Sequence, residues 1–250
     1  MSIIMQTEGL TCRFGGLVAV NSVDYKMEKG QLASIIGPNG AGKSTFYKLI
    51  TGLQKPTQGR IYFKGDDITD VKSHKRVEMG IAKSFQIVQI FADMKVIENM
   101  AVAAQHTLKN DRRTFFLSSW RNSETLKKSE EILERIGLRA EKDKRAGSLP
   151  QGHKKRLEIG MALATDPSLL LLDEPTAGST PVETNMTMGL VRELSKTLSI
   201  MIVEHKMDVV MNLAQRITVM HQGRIIADGT PNEIKSNELV KSVYLGGSDA

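Results

Sequence analysis

The sequence predicts an α/β fold, a core of strands and helices interrupted by one long helical segment. Three observations predict it. A glycine-rich turn, "GPNGAGKS" (37–44), follows an apolar run and opens an amphipathic one. After residue 168, short apolar runs alternate with helical patterns. From about 90 to 165 apolar residues recur at helical spacing.

Residues 3 to 36 read as strands over about 4–14, 22–28 and 32–36, separated by "GG" and "EKG" turns. After the glycine-rich turn, Phe46, Leu49, Ile50 and Leu53 share one helix face, and Pro56 bars continuation. "GRIYFKGDDI" reads as a strand and hairpin. Val96, Met100 and Ala103, then Leu126, Leu133 and Ile136 before Gly137, mark helices. "KNDRRTFFLSSWRNSET" (109–125) reads as an irregular insertion. Beyond 168 come the strand "LLLLDEP", a helix from Pro181 to about Lys196, the strand "IMIVEH", a helix from Met207 to Ala214, and "RITVMHQGRIIADG". "TPNE" (230–233) joins a capping box to a proline at the first helical position, so another helix starts there.

A chain of 250 residues can bury a large core. Its 40% apolar and 25% charged residues place it among globular proteins. Runs such as "LLLL" fall far short of the ~20 residues needed to cross a bilayer, and the N-terminus shows no secretory pattern. The single cysteine, Cys12, excludes an internal disulfide framework and fits a reducing compartment. The expectation is a cytoplasmic chain that does not span a membrane. The net charge of +6 is spread over short clusters at 72–76, 112–113, 127–128, 142–145 and 154–156. These read as solvated faces, and no base-stacking motif points to nucleic acid.

"GPNGAGKS" fits the P-loop pattern in full and sits between a strand and a helix, as the motif requires. The loop residues Gly37, Pro38, Asn39, Gly40, Ala41 and Gly42 would then enclose phosphates through the backbone N–H groups of all but the proline. Lys43 would reach the β and γ phosphates, and the Ser44 hydroxyl would ligate Mg²⁺. In "LLLLDEP" four apolar residues suit a strand buried on both faces. They deliver Asp173 and Glu174 to its carboxyl end, where ligands bind in open α/β sheets. Asp173 would hold Mg²⁺ through water and Glu174 would polarise the attacking water. Taken alone, the same pair could equally be turn residues before Pro175; the P-loop upstream favours chemistry. Glu204 and His205 end a second apolar strand, and Gln86 ends "AKSFQ"; neither position is informative in isolation. Finally, "SLPQGHKKRLEIGMALATDP" (148–167) starts a helix with Lys154, Lys155 and Arg156 in its first turn. Helix N-termini attract anions, so this segment awaits something negative.

Together these features resemble the ATP-binding cassette (ABC) ATPases over nearly the whole chain. The P-loop (37–45, through Thr45), Gln86 as Q-loop, "LPQGH" (149–153) as signature, "LLLLDE" as Walker B, "AGST" (177–180) as D-loop and His205 as switch histidine occur in family order. Phe14, 23 residues before Gly37, takes the place of the aromatic that stacks on adenine, with Val20 also against the base. The phrases "RFGGLVAV", "KSFQ", "DEPTAG", "VEHKMDVV" and "YLGG" look most like ATPase subunits of branched-chain amino acid importers. Lipopolysaccharide-export ATPases come next; soluble ABC ATPases acting on nucleic acid or ribosomes lack support because tandem cassettes and coiled-coil insertions are absent.

The resemblance implies a P-loop NTPase core with an antiparallel β-subdomain (about 1–89 and 166–250) and an inserted α-helical signature subdomain (about 90–165), in one domain. It implies ATP and Mg²⁺ as cofactors, catalytic roles for Lys43, Gln86, Glu174 and His205, and Mg²⁺ ligation by Ser44, Gln86 and Asp173. It implies a second cassette stacked head to tail, with Leu149, Pro150, Gln151, Gly152 and His153 reaching the nucleotide of the other copy. Two transmembrane permease subunits would dock around Gln86 to Phe91, a solute-binding protein would act indirectly, and no nucleic acid would be bound. The location implied is peripheral, on the cytoplasmic face of the cell membrane. The chain departs from the usual Leu-Ser-Gly-Gly-Gln signature by reading Leu149-Pro150-Gln151-Gly152-His153, and has Thr180 where the D-loop usually has aspartate.

Overall fold

Residues 2–84, 88–105 and 123–245 are described by a computed structural model of the chain. Two sheets carry it. The smaller has strand order β2-β1-β4-β5 and is antiparallel, formed by β1 (Ile3–Phe14), β2 (Leu17–Glu28), β4 (Gln58–Phe63) and β5 (Asp66–Asp67). The larger runs β10-β9-β3-β8-β7-β6 and is parallel except at its β9–β10 edge. Its members are β3 (Leu32–Ile36), β6 (Ile81–Lys83), β7 (Leu169–Asp173), β8 (Ser199–Val203), β9 (Arg216–His221) and β10 (Arg224–Gly229).

The second strand begins at Leu17, five residues earlier than the sequence predicts. Phe14 pairs directly with Leu17, so the two glycines form the whole turn and pairing starts at once. At the far edge, Gln222 (φ +47°) and Gly223 (φ +77°) turn β9 into β10. Positive φ at both central residues is what a two-residue hairpin needs to match strand twist.

The four-leucine run explains how the sheet divides the core. Side chains alternate across a strand. Leu169 and Leu171 face a cluster with α1 (Lys43–Ile50) and the antiparallel sheet: Phe46, Leu49, Val20 and Met27. Leu170 and Leu172 face a second cluster with α3 (Val96–Ala104), α4 (Ser123–Arg135), α5 (Gln151–Leu163) and α6 (Pro181–Ser195). All five β7 residues are buried. The helical segment thus packs against the sheet through a continuous apolar layer, which contributes on the order of 2 kcal/mol per fully buried leucine.

A short helix, α2 (Ser73–Glu78), and β6 follow the hairpin, and α7 (Met207–Leu213) follows β8. Where one helix is predicted from 230, there are two: α8 (Pro231–Ser236) and α9 (Glu238–Leu245). Asn237 breaks them with extended backbone (ψ +116°), and its side chain accepts the Val240 N–H at 3.1 Å. Asparagine competes with helical bonding in this way.

The basic clusters are not all solvated faces. Arg76 is 1% exposed and donates to the carbonyls of Leu49 and Ile50, capping α1, and to those of Val71, Ile68 and Thr69. Within 154–156, Lys155 is 1% exposed and lies 3.7 Å from Glu158. Arg156 turns back to the Ile136 carbonyl at 3.0 Å, at the end of α4. Two of the three charges expected to draw an anion to that helix are therefore spent inside the protein.

Candidate nucleotide site

Parallel strands put their carboxyl ends on one edge, and the chemistry collects there. The end of β3 leads into the P-loop, that of β7 into Glu174, that of β8 into Glu204 and His205, and that of β6 into Ser84. Because β8 lies between β3 and β7, His205 leaves the sheet between the strand that leads into the P-loop and the strand that leads into Glu174.

The P-loop is a cradle closed on itself. Lys43 is buried, and its Nζ donates to the Gly37 and Pro38 carbonyls at 2.6 and 2.9 Å. Burial lowers its pKa, opposed by Glu174 and Asp173. α1 starts at Lys43 after Gly42, with no side-chain cap and no acidic residue in its first turn. Its free N–H groups and dipole are open to an anion. Gly42 has φ +101°, and a side chain there would also collide with the Ala19 carbonyl. Ser44 is exposed and Thr45 half-buried at this helix start.

Asp173 and Glu174 close the opposite wall. Asp173 is 9% exposed, and burial, with the Glu174 charge adding, pushes its pKa up to about 6. Its N–H donates to the Ser84 hydroxyl at 3.2 Å, and Tyr47 holds the Ser84 carbonyl. Glu174 sits at φ +46°, with its N–H on the Val203 carbonyl at 2.8 Å. This left-handed turn is uncommon outside glycine and costs on the order of 1–3 kcal/mol. It swings the carboxylate over β8, where Oε1 lies 3.7 Å from His205 Nδ1.

Sequence reasoning named Glu204 without giving it a role. It is fully buried and accepts the Thr176 hydroxyl, the His205 N–H (2.9 Å) and the Lys206 N–H (3.4 Å). The histidine is thus held from below by one carboxylate and faces another.

On the rim, Phe14 and Leu17 are 48% and 66% exposed at the hairpin turn. Val20, expected against the base, is completely buried in the core between the sheets. Strand alternation puts it on the inner face, so Leu17 rather than Val20 accompanies Phe14 on the surface. Gln86 lies outside the described residues; Phe91, at the end of the same segment, is 50% exposed.

The segment 149–153 starts α5. Leu149 is buried, Pro150 is the exposed N-cap, Gln151 is exposed, Gly152 is buried and His153 half-buried. The Gly152 N–H, expected to await a phosphate, donates to Glu183 Oε1 at 3.0 Å. Glu183 is also the capping residue of α6, binding the Thr180 N–H and hydroxyl. "TPVE" (180–183) repeats the cap pattern of "TPNE", so the cap was legible; its second partner, 31 residues away, was not.

A glycine-caged loop, an uncapped helix start, a buried lysine and two acids on one sheet edge have the chemistry to hold a nucleotide phosphate tail. The family model described as "ABC transporter" matches residues 20–177. The chain belongs to the ABC transporter family. It is an ATPase of that family. A second model, "Branched-chain amino acid ATP-binding cassette transporter", matches residues 224–250 of this cassette. The high-affinity branched-chain amino acid transport ATP-binding protein BraF of Pseudomonas aeruginosa is 39% identical over 97% of this chain and 98% of its own. LivG of Escherichia coli K12, of the same description, gives the same figures. A solved ABC-transporter cassette in its ADP conformation is 34% identical with a TM-score of 0.87, covering 98% of this chain and 100% of its own. A nucleotide-free cassette gives 34% and 0.85, covering 97% and 98%. The cassette has no helix, among the described residues, long and apolar enough to cross a membrane.

Proposed function

We propose that this cassette binds and hydrolyses ATP to power an importer of branched-chain or other hydrophobic amino acids. One observation carries the reading: a phosphate site sharing a chain with a C-terminal segment, 224–250, of the branched-chain transporter type. The full-length relatives described as branched-chain amino acid transport ATP-binding proteins support it.

The residues fit ATP and Mg²⁺. Asp173 is a buried acid whose pKa is raised to about 6, the condition a nearby cation relieves. Ser44 stands exposed at the start of α1, and Gln86 completes the proposed ligand set. The nucleotide with Mg²⁺ supplies the transferable phosphoryl group and neutralises its charge. Lys43 exchanges its two loop carbonyls for phosphate oxygens, so its ammonium is already at the site. Glu174 orients the attacking water and takes its proton, while His205, 3.7 Å away, steadies that carboxylate. Phe14 and Leu17 offer the adenine an apolar face.

The division into a core (1–89 and 166–250) and a helical signature segment (90–165) gives the motion. Two cassettes close head to tail on ATP, residues 149–153 of each meeting the nucleotide of the other. Closure pulls two membrane permeases docked near Gln86 to Phe91, with a solute-binding protein outside. The cassette then works at the cytoplasmic face of the membrane.

Glu174→Gln tests this. It should keep ATP affinity, slow hydrolysis by roughly two orders of magnitude, and trap an ATP-bound dimer in size exclusion. Near-normal turnover would remove Glu174 from the chemistry and point to His205. Detergent co-purification should bring hydrophobic permeases; nucleic acid in their place would overturn the transport assignment.

A further inference from the structure

We propose that Glu183 is a positioning residue of the signature segment: in the free chain it holds the Gly152 N–H, and it yields that donor to the phosphate carried by the opposing cassette. The inference rests on the head-to-tail reading above.

The helices α1 and α5 begin alike. Each lacks a side-chain cap from its N-cap residue, and neither has an acidic residue in its first turn. The start of α1 faces the open site. That of α5 is covered by a carboxylate from another element, with Glu183 Oε1 accepting the Gly152 N–H at 3.0 Å. The other oxygen, Oε2, accepts the Thr180 N–H and hydroxyl, each at 2.9 Å. Both oxygens are thus engaged, and one side chain ties the starts of α5 and α6. Bonds from Thr180, then from Gly152, hold its carboxyl below the usual range. It is an anion at neutral pH.

The fit is close. A Cβ on residue 152 would stand 2.7 Å from the Cβ, Cγ and Oε1 of Glu183, so only glycine lets the carboxylate reach this N–H. The contact lies at an open face: Val182 and Met186, on either side of Glu183 in α6, are 68% and 50% exposed. An opposing phosphate would therefore meet Gly152 across a surface that already presents a negative charge.

One N–H cannot serve two anions well, and like charges brought together repel. Glu183 must give way as the cassettes close, and it recaptures Gly152 as they part. Because Glu183 lies nine residues beyond Glu174 in sequence, through the 177–180 segment, release at the signature reaches the chain that leaves the hydrolytic acid.

The test is ATP-driven dimerisation of the Glu174→Gln chain, followed by sedimentation, with and without Glu183→Gln. Glutamine keeps the α6 cap, since Glu and Gln both serve there, but removes the charge. Dimerisation should strengthen by about ten-fold, with ATP binding by the monomer and the melting temperature unchanged. Glu183→Ala should strengthen it too, while melting lower because the cap is lost. In the free chain, exchange of the Gly152 amide with solvent should quicken in both variants. Unchanged or weaker dimerisation of Glu183→Gln, or unchanged amide exchange, overturns the inference and leaves the head-to-tail reading intact. If the Glu174→Gln parent itself fails to dimerise with ATP, that reading falls and takes this inference with it.

Discussion

Asp173→Asn should make the nucleotide-free cassette more stable while abolishing hydrolysis. Asp173 is 9% exposed and its pKa is raised from the ordinary 3.8 to about 6, first by burial and then by the Glu174 charge. An acid whose pKa is higher in the folded state binds more protons folded than unfolded between those two values. Stability therefore falls as pH rises from about 4 to about 6, and stays lower above. The displacement corresponds to about 2–3 kcal/mol lost at neutral pH. Asparagine resembles the neutral acid in shape and carries no charge, so it recovers most of that. For a chain of this size the melting point should rise by about 4–10 °C. The assay is thermal unfolding without nucleotide, from pH 4 to 8, of wild type and variant. The gain should be full at pH 7.5 and vanish near pH 4, where the native acid is already protonated. With ATP and Mg²⁺ the order should reverse, since only the aspartate profits from the cation. A gain equal at all pH values, or a destabilised variant, would refute the electrostatic account of Asp173.

Three further outcomes follow from the site and core. Phe14→Ala should weaken ATP binding by about 1–3 kcal/mol in a titration. Its melting point should hardly move because the ring is 48% exposed; a stable variant with unchanged affinity removes the stacking role. Arg76→Met should lower stability by about 3 kcal/mol or more in denaturant unfolding, by stranding the buried carbonyls of Leu49, Ile50 and Ile68. A cost under 1 kcal/mol would show that those carbonyls find other donors. Glu204→Gln should lower kcat by about ten-fold with KM for ATP held, since Glu204 fixes the backbone of His205; an unchanged kcat would make it a core residue only.

What the sequence by itself determined is local. The P-loop is eight consecutive residues whose backbone freedom and charge are written in order, and the four-leucine run states its own burial on both faces. Capping boxes at 180–183 and 230–233 need only four residues each. Their signals survive folding because hydrogen bonds within one turn hardly depend on distant neighbours. Resemblance to a family added the order of the motifs and hence the nucleotide.

Tertiary structure alone decided the rest. Arg76 and Arg156 look like surface charges in sequence, yet carbonyls brought from other elements let them be buried, and packing of α5 buries Lys155 beside Glu158 of its own helix. Val20 and Leu17 are near neighbours in sequence, but strand pairing puts one in the core and leaves the other in solvent. The meeting of Gly152 with Glu183 spans 31 residues and depends on how α5 and α6 pack on the sheet. No pattern within either segment encodes it. A contact between distant residues is fixed by the shapes of everything between them, and only the folded chain brings those shapes together.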